Sequence, residues 1–148
     1  MLPAVRKRYS GVKAFVRQRI TRTGQSTQTT TGTTYVQVTG WVSDTTYPGV
    51  ISSNSLKNAG AKTGVTITAS VGWTNSAPAN GSASFDLRKN GTSVASWTQS
   101  DFIGSGTQTL TASGQTLADG DLITLWMRRQ SGSATIGCTA ATYIDLNA

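Results

Sequence analysis

The side chains of this sequence that are best suited to binding chemistry are basic, and they are concentrated at the N-terminus. The first 22 residues contain seven cations and no acidic residue, and the whole chain has a net charge of +7. These cations are Arg6, Lys7, Arg8, Lys13, Arg17, Arg19 and Arg22. From residue 23 onward, six Lys and Arg residues balance six Asp residues. The charge pattern therefore predicts a basic arm that binds an acidic partner, followed by a neutral body.

Three kinds of acidic partner are candidates for such an arm. Nucleic acid phosphates would bind the cations, with Tyr9 and Phe15 interleaved among them, but the neutral body offers no second basic surface. A membrane surface requires a continuous apolar helix face, which Pro3 and Gly11 interrupt. An acidic groove or a sheet edge of another protein subunit suits an extended basic segment, and we favour this partner.

The side chains that catalysis commonly uses are scarce. The chain has no His, which excludes Ser/His/Asp and Cys/His arrangements. Asp119 and Asp121 are the closest carboxylates, but the sequence ADGD around them is typical of a turn, and calcium would need more oxygen ligands. Cys138 is the single cysteine, and we expect it to be a small buried residue. We therefore predict no enzymatic activity, no metal site and no cofactor.

The four tryptophans are candidates for a sugar-stacking face. Trp73 is in phase with a row of apolar residues, and this position predicts core packing. Trp41, Trp97 and Trp126 are the candidates for a surface or glycan contact. Arg128 and Arg129 follow Trp126 but point to opposite faces of a strand, so we interpret them as a solvated edge or a subunit contact.

The elements that must position these residues are β-strands. Thr, Ser and Gly are frequent and Glu is absent, a composition that disfavours helices. The clearest strand spans residues 65–73, where apolar residues alternate with polar ones. Asn90-Gly91 predicts a type I′ hairpin that pairs residues 94–98 with residues 83–87. The C-terminal segment, residues 122–146, predicts a long hairpin that closes near Ser131-Gly132.

About eight short strands with regular turn signals predict an all-β fold, a single antiparallel, jelly-roll-like β-sandwich preceded by an extended basic arm. The predicted domains are residues 1–31, the arm with a Thr/Gly-rich linker, and residues 32–148, the sandwich. No apolar run is long enough to span a membrane, and no signal-peptide pattern follows the basic N-terminus. We therefore expect no signal peptide and no export through a standard secretory route.

Two groups of motifs carry a resemblance to known families. Residues 115–146, with LADGDLITL, SGSATI and the closing TYIDL, resemble the final hairpin of tumour-necrosis-factor-like and complement-type jelly rolls. With GTTYVQVTGWVSDTTYPG, GVTITASVGWT and NGTSVAS added, residues 32–146 resemble small β-sandwich virion proteins of tailed bacteriophages. The resemblance does not cover residues 1–31.

This resemblance implies a non-enzymatic structural protein on the surface of a phage particle. The charge of the arm adds the hypothesis that the arm attaches the protein to an acidic capsid or tail surface. A minor tail protein is the placement that we expect. A capsid decoration protein and a carbohydrate-binding, lectin-like adhesion module are the alternatives. The resemblance to tumour-necrosis-factor-like jelly rolls implies a homo-oligomer, usually a trimer. The resemblance to virion proteins implies synthesis in a host cytoplasm and a host-surface glycan as a further partner. Nucleic acid and membrane are not expected partners.

Overall fold

The computed structural model describes residues 11, 13–22, 28–76, 81–100, 104–133 and 135–148. This part of the chain is built from β-strands and has no helix that could cross a membrane. The strands are β1 (Gln18–Thr21), β2 (Gln28–Thr30), β3 (Val36–Gln37), β4 (Val42–Ser43), β5 (Val50–Ser52), β6 (Ser55–Lys57), β7 (Lys62–Ser76), β8 (Ser82–Lys89), β9 (Thr92–Gln99), β10 (Gly104–Leu117), β11 (Leu122–Ser131), β12 (Thr135–Cys138) and β13 (Tyr143–Asn147).

The strands form two antiparallel sheets, which confirms the predicted all-β sandwich. Sheet I has the order β2-β12-β7-β13-β1-β4, and β10 pairs with the other edge of β7. Sheet II has the order β5-β6-β11-β8-β9, and β3 also pairs with β11. Neighbouring strands in both sheets are thus joined by antiparallel backbone pairing, much of it between residues that are distant in the chain.

The core lies between the two sheets and follows the period-two alternation of their longest strands. On β7 the predicted apolar row is confirmed, because its members Val65, Ile67, Ala69 and Val71 are fully buried. Trp73 continues this row and is 9% exposed, as predicted. The facing residues of sheet II that are also fully buried include Phe85, Leu87, Ile123, Leu125 and Met127. Burial of this apolar surface is the main stabilising contribution to the fold.

The hairpin predicted at Asn90-Gly91 is confirmed. Both residues have positive φ, 49° for Asn90 and 83° for Gly91, as a type I′ turn requires. The turn pairs β8 with β9 and places Phe85 opposite Trp97. This turn thereby fixes which residues of β8 face the core.

The long C-terminal hairpin predicted for residues 122–146 is wrong. β11 belongs to sheet II, whereas β12 pairs with β2 and β7 in sheet I, so the chain crosses between the layers after Ser131. The reason is that both edges of β11 are already occupied, one by β8 and the other by β3 and β6. β12 must therefore find its hydrogen-bond partners in the other sheet.

Part of the segment predicted as arm and linker lies inside sheet I. β1 pairs with β13 on one side and β4 on the other, and its Ile20 is fully buried. β2 pairs with β12. Both strands precede the domain boundary predicted at residue 32, so residues 18–21 and 28–30 are strands of the sandwich. Residues 1–10 and 23–27 lie outside the described residues.

Candidate functional site

Two cations of the predicted arm are held by contacts within the sandwich. Arg17 Nη2 lies 2.9 Å from Asp145 Oδ2, and Arg19 Nε lies 3.3 Å from Asp145 Oδ1. The Arg17 guanidinium also lies 4.0 Å from the centre of the Tyr47 ring, and that of Arg19 lies 4.5 Å from the Tyr143 ring. The hydrogen bond to Asp145 raises the pKa of Arg17. Both charges are therefore used to join β1 to β13.

Arg22 is buried, with 2% of its surface exposed. Its Nε donates to the carbonyl of Thr39 at 2.7 Å, and its Nη1 donates to the carbonyls of Cys138 and Thr139 at 2.5 and 3.1 Å. A buried guanidinium is stable only when its donors are satisfied in this way. Arg22 thus links the end of β1 to the segment that follows β12, and it is not presented to a partner.

The other predicted arm cations fall into two groups. Arg6, Lys7 and Arg8 lie outside the described residues. Lys13 is exposed and borders an open cleft of about 260 Å³, whose other lining residues are Val50, Lys57, Asn58, Ala59 and Asp119. Three of the seven cations expected to bind a partner are therefore used inside the sandwich, because β1 is one of its strands.

The three candidate tryptophans lie in different environments. Trp41 is 7% exposed and donates from Nε1 to the Val38 carbonyl at 2.9 Å. Trp97 packs against the core, with its ring centre 5.8 Å from that of Phe85 in a stacked arrangement. Trp126 is half-buried on the outer face of sheet II. The structure therefore places only Trp126 of these three on a sheet surface.

Trp126 belongs to a layered group of aromatic rings and guanidinium groups, which we call the outer-face platform: Tyr35, Arg88, Trp126 and Arg128. The Arg88 guanidinium lies 4.8 Å from the centre of the Trp126 ring and 4.9 Å from that of Tyr35. The Arg128 guanidinium lies 4.5 Å from the Tyr35 ring. Each cation is thus attracted to the negative face of at least one ring.

The platform is positioned by the strand register of sheet II. Trp126 on β11 pairs with Asp86 on β8 and with Gln37 on β3. Alternation along β11 turns Leu125 and Met127 into the core and leaves Trp126 on the opposite face. The indole Nε1 of Trp126 donates to Thr124 Oγ1 at 2.9 Å, which fixes the orientation of the ring.

The charges of the platform are unevenly paired. Arg88 Nε donates to Asp86 Oδ2, and the Ser93 hydroxyl donates to Asp86 Oδ1. Arg128 forms no ion pair with the described residues, and its Nε is buried without a hydrogen-bond partner. The platform therefore carries two guanidinium groups for one carboxylate and has a net positive charge.

Polar side chains continue the surface beside the platform. The hydroxyl groups of Ser84 and Thr98 lie 3.0 Å apart, and both donate to Gln130 Oε1. On the other side, Gln37 Nε2 donates to the carbonyls of Ser53 and Asn54. The outer face of sheet II thus combines aromatic rings, guanidinium groups, hydroxyl groups and side-chain amides.

The groups with catalytic potential are engaged in structural contacts. Cys138 is fully buried, its Sγ lies 3.2 Å from Thr142 Oγ1, and burial raises the pKa of its thiol. Asp119 Oδ1 accepts from the Gly60 amide at 2.8 Å, in the turn that the sequence predicts. Among the described residues, no group of three or more His, Cys, Asp or Glu side chains is arranged to hold a metal ion.

Asp121 is the most fully bonded of the turn carboxylates. Its Oδ1 accepts from Asn90 Nδ2 at 2.9 Å and its Oδ2 from the Ala118 amide at 2.9 Å. Partial burial opposes ionisation, but these hydrogen bonds and the Lys89 charge outweigh it, so the pKa of Asp121 is lowered. This carboxylate therefore joins the β8–β9 turn to the start of β11.

Two members of the platform, Tyr35 and Arg88, are missed by reasoning from the sequence. The signal for Trp126 and Arg128 is present, because their spacing of two puts them on one face of a strand. Arg88 comes from β8 and Tyr35 immediately precedes β3, so their approach depends on pairing between residues that are distant in the chain. Arg129, the neighbour of Arg128, pairs with Ala83 and has a buried Nε without a partner among the described residues.

No protein-family model and no curated protein matches this chain. Among solved structures, the chain is similar to the Eiger TNF of S. frugiperda, with a TM-score of 0.59 and 12% identity over 90% of this chain and 92% of that chain. This likeness confirms the predicted resemblance to TNF-like jelly rolls at the level of the fold. The comparisons give no support to the resemblance to phage virion proteins.

Two carbohydrate-binding modules are also similar, each with a TM-score of 0.40, which is too low to support an inference. One is the module CBM36 in complex with calcium and xylotriose, at 20% identity over 87% of this chain and 98% of that chain. The other is the CBM36-1 domain of a multidomain xylanase from the hindgut metagenome of Trinervitermes trinervoides, at 11% identity over 90% and 98%.

The contacts of Asp121 predict a pH dependence of stability. Because the pKa of Asp121 is lowered in the folded protein, its ionised carboxylate stabilises the fold. This contribution to the free energy of unfolding is complete above the ordinary aspartate pKa of about 3.9, and it is lost as the pH falls through the folded-state pKa. We expect Asp121→Asn to lower the urea midpoint at pH 7 and to have a smaller effect in the acid range. Urea unfolding of the wild type and the variant at several pH values measures the difference between their midpoints. A difference that is independent of pH would contradict the assignment.

Proposed function

We propose that this protein is a non-enzymatic binding module that binds a glycan on the outer face of sheet II. The observation that carries the proposal is the outer-face platform. Of the four tryptophans, Trp126 is the one on a sheet surface, and it lies within a ladder of a second aromatic ring and two guanidinium groups. This combination of ring faces and hydrogen-bond donors suits the mixed apolar and polar faces of a sugar.

The platform is held rigid before any ligand binds. Arg88 lies between Tyr35 and Trp126, and its Nε is bonded to Asp86. The Trp126 ring is fixed by its hydrogen bond to Thr124. Side chains that are already ordered lose little conformational entropy on binding, so weak stacking and hydrogen-bond contacts are enough for measurable affinity.

The charge of the platform favours an acidic sugar over a neutral one. Arg88 is paired with Asp86, but Arg128 has no carboxylate partner among the described residues. A guanidinium group binds a carboxylate through two parallel hydrogen bonds, which gives both affinity and orientation. The ligand class that we expect is therefore an oligosaccharide that contains uronic acid or another carboxylated sugar.

A printed array of neutral and uronic-acid-containing oligosaccharides, probed with the labelled full chain, tests the proposal. We expect binding to the acidic members, and we expect Trp126→Ala to weaken it by about tenfold or more, because stacking and its support of Arg88 are lost. Arg128→Gln should reduce the preference for acidic over neutral sugars. Tyr143→Ala is the matched control, since it removes a half-buried aromatic ring from the outer face of sheet I.

Thermal unfolding of each variant establishes that the fold is retained. The proposal fails if the wild-type chain binds no sugar on the array. It also fails if a correctly folded Trp126→Ala variant binds as tightly as the wild type, because the glycan would then contact another surface.

The resemblance to virion proteins supplies a second proposal, attachment of this sandwich to a phage particle as a minor tail protein, or as a capsid decoration protein. It is favoured by the uninterrupted run of cations Arg6, Lys7 and Arg8 near the N-terminus. Arg17, Arg19 and Arg22 are unsuitable for this role because they stabilise the sandwich. Lys13 is exposed and suits this role, so we call Arg6, Lys7, Arg8 and Lys13 the tether.

Removing the positive charges of residues 6–8 tests attachment to the particle separately from the stability of the fold. We expect the triple variant Arg6→Gln, Lys7→Gln and Arg8→Gln to keep the wild-type melting temperature but to be incorporated into particles at a reduced level, because its contacts with an acidic surface are lost. Quantitative mass spectrometry of purified particles measures incorporation. Equal incorporation of the triple variant and the wild type would contradict the tether.

A further inference from the structure

β10 is a long strand at the edge of sheet I. It pairs with β7 over the full range from Gly104 to Leu117, and no described strand pairs with its other side. Its first nine residues, 104–112, are in continuous register with β7, and the register shifts begin only after Ala112. This part of the edge offers a straight row of backbone donors and acceptors.

Residues 104–112 of this edge lack the features that usually prevent pairing between sheets, since the register shifts of β10 begin only after Ala112. Natural edge strands are commonly short, or contain Lys, Pro or a bulge. Three of the other terminal strands are short, since β2 and β5 have three residues each and β4 has two. The fourth, β9, has eight residues, but its register with β8 is interrupted between Ala95 and Ser93. The residues 104–112 read GSGTQTLTA and include no charge and no proline.

The side chains of this edge are complementary to a second copy of themselves. Ser105, Thr107, Thr109 and Thr111 are all exposed and alternate along the outer face of sheet I. In an antiparallel pair of two such strands centred on Gln108, Thr107 of each copy faces Thr109 of the other. Ser105 faces Thr111 in the same way. Every outer-face pair would then join two hydroxyl groups, and cross-strand pairs of this kind are favourable.

We propose that two copies of this protein associate edge to edge through β10, with the two strands antiparallel about a two-fold axis near Gln108. An interface of this kind is closed, so it produces a dimer and not a filament or a trimer. Backbone hydrogen bonds provide the affinity, and the uncharged hydroxyl rows permit the approach. Sheet I then continues from one copy into the other.

Sedimentation equilibrium of the full-length wild type tests the association. We expect a monomer–dimer equilibrium. The double variant Thr107→Lys/Thr109→Lys should raise the dimer dissociation constant by at least about 100-fold, because the introduced lysines of one copy face those of the other. Both positions are exposed, so we expect the fold to be retained, and thermal unfolding checks this.

The control variant Thr33→Lys/Thr34→Lys carries the same added charge at exposed positions away from β10, and it should dimerise like the wild type. Mixing the double lysine variant with Thr107→Asp/Thr109→Asp should restore a dimer, since opposite charges then face each other. A monomeric wild type, a trimer, or a dimer that the double lysine variant leaves unchanged would each overturn the proposal. A folded pair of charged variants that does not associate on mixing would overturn it as well.

Discussion

The register of β11 is the constraint on which the candidate binding surface depends. Leu125 and Met127 are fully buried, and the residues between and after them, Trp126 and Arg128, therefore face outward. β8 fixes this register on one side, and β3 and β6 fix it on the other. A slip of one residue would bring Trp126 and Arg128 into the core and expose two apolar side chains, so burial strongly specifies the observed pairing. The same register brings the Arg88 guanidinium close to both the Trp126 ring and the Tyr35 ring.

Part of the positive charge of the N-terminal segment is used inside the sandwich, and the sequence does not show which part. Arg17 and Arg19 are bound to Asp145, which is 126 or more residues away in the chain, and Arg22 is bound to backbone carbonyls. These contacts hold β1 between β13 and β4. A count of cations reports the charge of a segment, but it does not report how much of that charge is already paired. Of the other cations in this segment, Lys13 is exposed, and Arg6, Lys7 and Arg8 lie outside the described residues.

Local signals predict the fold well, and long-range pairing explains what they miss. The apolar row of β7, the turn at Asn90-Gly91 and the turn at Asp119 each depend on neighbouring residues, and each is present as predicted. The crossing from β11 to β12 is missed because it depends on which strands have already occupied the edges of β11. For the same reason the candidate site is predicted only through Trp126, since the contributions of Tyr35 and Arg88 depend on the pairing of β3, β8 and β11.

The central claim is that a glycan contacts the outer face of sheet II at Trp126. The four indole N–H groups give a direct readout, because Trp41 and Trp73 are buried in the core and Trp97 packs against it. The measurement is a two-dimensional ¹⁵N–¹H spectrum of the full-length protein during titration with the oligosaccharide that binds most strongly on the array, with each indole assigned by Trp→Phe substitution. The result that we predict is a saturable shift of the Trp126 indole resonance, with the other three nearly unchanged. Saturable binding that leaves the Trp126 resonance in place would contradict the claim.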